Sequence, residues 1–387
     1  MAEDNRLNAG EIAAADFERG AADPVAGFPQ QIEHAISNRL GPAEAQRMEL
    51  AERSGLRVWL APWYSSSHWY VDNRHEVKFE WDEKAGEQKF IRSMDLIRRI
   101  QKNPSGRLSG MVYPAQIDTC TEELLRASAA AATELGVSLT THAAQSVMEF
   151  NLMVQRHGKT PIQWAHEIGF LGPSTILGHA IFVDEHSWLH WYSREDVKLL
   201  AESHTTVAHC PTVFSRYGQL LEDFGRYQRA GVNLAIGTDT VPHNILEEMR
   251  AAAVLSRVAA ENVFTATTED ILTAATIGGA RALLRKDIGA LAPGMRADIV
   301  LVDLLSPSMR PTRDPLRSLV YAAADRAVKD VFVGGRQVVA DRKVLTMNHD
   351  DACAGVEAAQ IRMMEKVSKL DYAGRTIEQI APLSLPH

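Results

Sequence analysis

The sequence predicts an α/β fold: a parallel sheet with helices packed outside it, followed by a smaller β unit. Three observations predict it. From about residue 50, short apolar runs alternate with amphipathic stretches, the rhythm of strand–helix units. Gly136, Gly172 and Gly231 stand just past helical stretches, where a left-handed cap is wanted. After Arg285 the rhythm changes to short strands separated by the turns Pro293-Gly294 and Gly334-Gly335.

Taken in order, residues 1–49 are a poorly readable amino-terminal segment, rich in Ala, Gly, Asp and Glu, to which no element is assigned. Residues 50–285 carry the strand–helix alternation. Apolar runs predict strands over Leu56–Ala61, Ser109–Tyr113, Ser138–Thr141, Thr175–Phe182, Thr205–His209 and Val232–Ile236. Helical spacing falls between them, over Lys89–Ile100, Glu122–Leu135, Ser193–Glu202, Asp223–Ala230 and Asn244–Ala259. Six such units are visible. Residues 286–345 predict a small β domain, with strands over Ala297–Val302, Val328–Val333 and Arg336–Val339 and a helix over Asp314–Ala323. Residues 346–387 form a tail, helical from Asp350 to Lys369.

Composition narrows the function. Hydrophobic residues are 45% and charged residues 23% of the 387, ordinary globular usage that excludes disordered and fibrous classes. Acidic residues outnumber basic ones 49 to 41, which argues against a nucleic-acid partner. Cys120, Cys210 and Cys353 are scattered, so neither a disulfide framework nor a paired-cysteine metal knuckle is expected. The acidic start Met1-Ala-Glu-Asp-Asn does not read as a signal peptide, and no apolar run reaches membrane-spanning length. The expectation is a cytoplasmic enzyme with a small-molecule substrate and no membrane partner. Its acidic surface and helical tail are compatible with a homo-oligomer.

In parallel α/β folds, functional side chains collect at the carboxyl ends of strands. Those ends carry His142, His179, His209 and Asp239. Neutral imidazoles with a carboxylate are the donors a zinc-type ion takes. A single histidine is more often a surface or satisfied core residue, and His34, His75, His157, His186, His190 and His349 are read so. Joint placement at strand ends favours a site role for His142, His179 and Asp239. An aspartate after the apolar run Val232–Ile236 is costly unless a cation or hydrogen bonds hold it. His209 either serves the site or, with Cys210-Pro211, simply ends a strand. His243 either faces the pocket or caps a helix. Trp63, Tyr64, Trp69 and Tyr70 either line an apolar pocket or pack over its mouth. Gly278-Gly279 lies within helical text and cradles no phosphate.

The order Thr141-His142, Leu177-Gly178-His179-Ala180, His209-Cys210-Pro211 and Gly237-Thr238-Asp239 resembles the amidohydrolase superfamily, nearest to its cytosine deaminase and triazine chlorohydrolase branch. The stretch Ala275–Leu284, then Ile288–Asp303, resembles that family's passage from barrel to small β domain, and Val333–Val339 its closing hairpin. The resemblance implies a TIM-like (β/α)8 barrel with one divalent metal ion, zinc first, with iron, cobalt and manganese as alternatives. It implies His142 and Asp239 as metal ligands, Asp239 also as the proton acceptor, and His179 as the group that orients or polarises substrate. Gln145, His209, His243 and Trp63 are the candidates for substrate contact.

Two departures from the family pattern matter. The opening His-x-His motif occurs nowhere in the sequence, and the position where deaminases carry a proton-shuttling Glu is Gln145. An amide does not exchange protons at neutral pH. The expectation is therefore hydrolysis of an amide, urea or carbamate. Deamination or dechlorination of a nitrogen heterocycle is the alternative, and an inactive remnant serving as a binding subunit is a third. Counting back from Asp239 as strand eight makes Leu56–Ala61 strand three, so the barrel is expected to be incomplete at strands one and two. His34, His68 and His75 are candidate substitute ligands.

Overall fold

The computed structural model describes residues 42–385 apart from 73, 75 and 372, so most of the unreadable segment, with His34 and His75, lies outside the described residues. The first helix, α1 (Pro42–Ser54), leads into the broken strand β1 (Val58–Leu60) and β2 (Trp63–Tyr64). A hairpin follows, β3 (Ser67–Val71) and β4 (Val77–Trp81), and then helix α2 (Glu83–Ile100), capped by the Asp82 side chain on the Ala85 amide. The next strand is also broken, into β5 (Leu108–Gly110) and β6 (Tyr113–Pro114). Helix α3 (Glu122–Leu135) starts at Thr121, which accepts from the Leu124 amide, and stops at Gly136 in the left-handed conformation.

Four more strands complete the parallel set: β7 (Leu139–Ala143), β8 (Thr175–His179), β9 (Thr206–His209) and β10 (Asn233–Ile236). Helices α4 (Val147–His157) and α5 (Pro161–Glu167) lie between β7 and β8, and α6 (Asp196–Glu202) between β8 and β9. Helices α7 (Pro211–Ser215) and α8 (Phe224–Ala230) precede β10, and α9 (Ile245–Ala259) follows it. The six predicted strands and five predicted helices are all present, with ends shifted by a few residues. Thr175–Phe182 stops early, at His179, because His179 and Ala180 take φ of 93° and 44° and turn the chain out of the sheet. The left-handed residue before β8 is Gly169 (φ 69°), rather than Gly172.

Pairing runs in one direction. β1 pairs with β5 and β2 with β6, while β7, β8, β9 and β10 pair in sequence, all parallel. Bridges Val112↔Leu139 and Gln116↔His142 join the two groups. This is the α/β arrangement of a TIM-like barrel, and every strand's carboxyl end meets the same rim. Among the described residues, β1–β2 and β10 each have a parallel partner on one side alone. The core lies between strands and helices, with Leu125, Leu177, Leu200 and Val207 fully buried. Strands β7 and β8 are largely buried on both faces, as a covered parallel sheet requires, although they also carry threonine and histidine.

The chain then continues through α10 (Thr268–Thr273) into a wide π-turn, Ala274–Gly278. A Cβ on Gly278 would stand 2.0 Å from the Leu234 carbonyl oxygen, so only glycine lets this turn lie on β10. Strands β11 (Ile299–Val302), β12 (Val328–Val333), β13 (Arg336–Ala340) and β14 (Lys343–Val344) form a separate antiparallel sheet. Gly334 and Gly335, at φ of 57° and 81°, make the predicted two-residue turn between β12 and β13. Arg57, just before β1, holds Asp298 at 2.8 Å and fastens this sheet to the amino end of the parallel strands. The tail is helical over His349–Met364. No helix among the described residues is long and apolar enough to cross a membrane.

Candidate metal centre

Three side chains meet at the rim. His142 lies near the end of β7, His179 ends β8, and Asp239 follows β10 with φ of 46°. One ligand atom from each lies within 4.8 Å of the others. The sequence places them 37 and 60 residues apart; the parallel sheet brings them to one point because each sits at a strand's carboxyl end.

The local contacts set the chemistry of each. His142 Nδ1 is 2.7 Å from the Ala115 carbonyl oxygen, which fixes Nδ1 as the protonated nitrogen and leaves the Nε2 lone pair as the metal-binding one. Its ring stacks on His179 at 5.3 Å and 18°. The strand register sets Gly178 beside His142, and a Cβ there would stand 3.2 Å from the imidazole Cδ2. His179 is 1% exposed, and Phe214 meets its ring edge-on at 4.4 Å. Burial first, then the His142 and His209 imidazoles, holds its pKa well below the usual range, so it is neutral at pH 7.

Neither His179 ring nitrogen makes a hydrogen bond among the described residues, although Nε2 lies 3.3 Å from Asp239 Oδ2. An imidazole with a directed lone pair and a carboxylate, with a second buried imidazole left so beside them, make a site that fits a divalent ion. The fit rests on nitrogen and oxygen donors, which suit zinc, iron, cobalt and manganese alike.

The other predicted residues divide. His209 ends β9, is buried, and is pushed by that burial to a pKa of about 4. It is close enough to His179 to depress its pKa. His243 is exposed at the rim, its Nδ1 3.0 Å from the Thr238 hydroxyl. Gln145 is half-buried in the turn after β7 and donates its backbone N–H to Glu149. Trp63, in β2, has the Lys89 ammonium 5.6 Å over its ring. Tyr64 belongs to the core: it is fully buried, its hydroxyl 2.6 Å from Ser128 on α3 and its ring against Phe90 on α2. His68 lies outside the cluster, exposed on the hairpin and paired with Glu80 at 3.0 Å. A ligand role for His68 is not what this geometry offers.

Three neighbours of the site carry signals that strand-end reading passes over. The Tyr113 hydroxyl approaches His142 Nδ1 at 3.4 Å. Asp118 and Glu149 are buried carboxyls behind the rim; burial raises Asp118 to about 6, and burial with the Asp118 charge raises Glu149 to about 8. Ser146-Val147-Met148-Glu149 has the spacing of a capping box, the signal that points to Glu149 in the sequence.

Comparison with known proteins agrees with this geometry. The model of the amidohydrolase family matches residues 29–338. The chain is 30% identical over 276 residues to the 5'-deoxyadenosine deaminase of Methanosphaera stadtmanae, covering 70% of this chain and 63% of that protein's length. Its fold is similar to the zinc-bound adenosine deaminase of Xanthomonas campestris, with a TM-score of 0.72 at 21% identity over 91% of this chain and 83% of the other. Atrazine chlorohydrolase from Arthrobacter aurescens, complexed with zinc, gives a TM-score of 0.72 at 20% identity over 90% and 80%.

Proposed function

Since this chain belongs to the amidohydrolase family, we propose that it is a metal-dependent hydrolase of a non-peptide carbon–nitrogen bond in a small molecule. The observation that carries the reading is the convergence of His142, His179 and Asp239 at one rim. His142 Nε2 and Asp239 would hold the ion. A divalent ion there supplies Lewis acidity, polarising the bond to be broken and acidifying water near neutral pH. Asp239 Oδ2 accepts the proton released when water attacks and returns it to the leaving nitrogen. His179, kept neutral by burial, has an N–H to donate to the oxygen on which charge develops. His209, His243, Gln145 and Trp63 border the same rim and contact substrate in this reading.

The bond class follows from Gln145. It occupies the position at which the family's deaminases carry a proton-exchanging carboxyl, and an amide orients without exchanging. That leaves Asp239 to move protons alone, which suits amides, ureas and carbamates. A second reading, removal of ammonia from an adenosine-type ring, is favoured by the 30% identity to a deoxyadenosine deaminase. We assign residues 50–285 to the barrel, as strands three to eight of it, 286–345 to a small β domain, and 346–387 to a helical tail.

The test is metal analysis of the purified protein with a substrate panel. Near-stoichiometric zinc, iron, cobalt or manganese and amine release from aryl ureas, carbamates or anilides support the first reading. Ammonia release from 5'-deoxyadenosine selects the second. Asp239→Asn is expected to abolish turnover while circular dichroism stays unchanged; full activity in that variant refutes the assigned proton acceptor.

A further inference from the structure

Glu149 is among the most deeply buried carboxyls in the described protein, 1% exposed, and no step above uses it. It stands in the first turn of α4, where the Ser146 hydroxyl accepts its backbone N–H at 3.1 Å. Its own side chain does not return to the Ser146 amide, as in an ordinary capping box. One oxygen accepts the Ala144 N–H at 2.6 Å and the other the Gln145 N–H at 2.9 Å. Both amides belong to the turn immediately after the strand bearing His142.

That turn is held in a conformation its residues do not favour. Ala144 has φ of 53°, a left-handed geometry that costs a residue with a Cβ about 1 kcal/mol or more. The turn also joins two strand ends. The Ala144 carbonyl accepts the Ile181 and Phe182 N–H groups at 2.9 and 2.8 Å, and the Ala143 carbonyl accepts the Ala180 N–H at 3.1 Å. Ala180 directly follows His179, and both are left-handed as well. A buried carboxyl group thus fastens one turn, and that turn fastens the segment leaving His179.

We propose that Glu149 is a positioning residue of the metal centre, clamping the Ala144 turn so that the His142 and His179 imidazoles keep one relative geometry. The proposal rests on the metal-site reading above. Substituting Gln at this position replaces one acceptor oxygen by an NH2 group that faces a backbone N–H, so one clamp bond is lost and a donor confronts a donor. The turn then relaxes toward right-handed or extended backbone, and the two strand ends part.

The decisive measurement is zinc affinity of the metal-free full-length chain, by competition with a chromogenic chelator at a temperature where every variant is folded. Glu149→Gln is expected to weaken zinc about 10- to 100-fold, the range for removal of groups that orient metal ligands. Glu149→Asp, which keeps both carboxyl oxygens but withdraws them from the turn, is expected to weaken it less, and it serves if the Gln variant does not fold. Asp298→Asn is the control. It removes a carboxylate that holds Arg57 and the Gly334 amide at the amino end of the strands, and it should lower stability without changing zinc affinity. Wild-type affinity in the folded Glu149 variants overturns the proposal and leaves the metal reading standing. Equal weakening in Asp298→Asn overturns it too, as general destabilisation. A wild-type chain that binds no zinc overturns the metal reading and this proposal together.

Discussion

Gly178 shows how narrowly the site is drawn at single residues. It lies beside His142 in the β7–β8 register, and a Cβ there would press on the imidazole at 3.2 Å and on the Thr141 carbonyl at 3.4 Å. Contacts that tight need a shift of a few tenths of an ångström, and the ring is the element free to give. Gly178→Ala is therefore expected to lower stability by about 1–3 kcal/mol, as overpacking does, and to weaken metal affinity several-fold. Gly136→Ala at the α3 cap is the comparison: it costs stability through its left-handed φ of 63° and leaves affinity unchanged. Equal affinity in the two variants would dissociate Gly178 from the site. His142, His179 and Asp239 were legible in the sequence because a parallel sheet gives strand ends a shared rim. Tyr64 was not, because one residue along a strand reverses the face, and aromatic content does not say which face is inside.

At the scale of elements, the connections hold their shape through buried carboxyls. The link from β8 to α6 is fastened by two aspartates. Asp196 accepts from the Thr160 hydroxyl at 2.7 Å, the Gln163 amide at 3.2 Å and the Asp184 N–H at 2.8 Å. Asp184 in turn accepts from the Ser193 hydroxyl and the Glu195 N–H. Burial first, and then the Asp184 charge, raises Asp196 to about 7. In the unfolded chain an aspartate titrates near about 3.9. Between those values the folded chain binds more protons than the unfolded one, so stability falls as pH rises from about 4 to 7, by up to about 1.4 kcal/mol per pH unit from this group. Asp196→Asn is expected to flatten that ramp in urea midpoints taken from pH 4 to 7, even though the variant is less stable throughout. An unchanged slope would mean that Asp196 is ionised in the native state. Of the helices framing these links, α6 was readable from apolar spacing, whereas α4 and α5 were not assigned from the sequence; α5, seven residues long, is too short to show the helical period. The β3–β4 hairpin was not. Its strands rest on Arg156, stacked over Phe79 at 4.6 Å and Trp81 at 5.4 Å, and on Trp69 Nε1 donating to Gln116 Oε1, all contacts with residues distant in sequence.

At the scale of the whole molecule, the parallel strands among the described residues have a middle and two outer members, and that arrangement has a measurable consequence. β8 is bonded to β7 and β9, whereas β10 is bonded to β9 and β1 to β5. On a strand with one neighbour, about half the amides point away from it, and unpaired strand sides invite exchange with water or pairing with another chain. If strands three to eight are all that this chain contributes, native-state hydrogen exchange should rank the strands by position. The Leu177 and Gly178 amides in β8 should be the slowest, near the global unfolding limit, and those of β10 and β1 faster by the difference between local and global opening. Added zinc should slow β7 and β8 most, since a ligand that binds the folded state alone stabilises it by about 2.7 kcal/mol at 100 times its Kd. Rising protein concentration should slow β1 and β10 selectively if copies pair along those sides. Protection of β10 equal to that of β8 at every concentration would mean that its second side is already covered, and the assignment of strands three to eight to an open sheet would have to be abandoned.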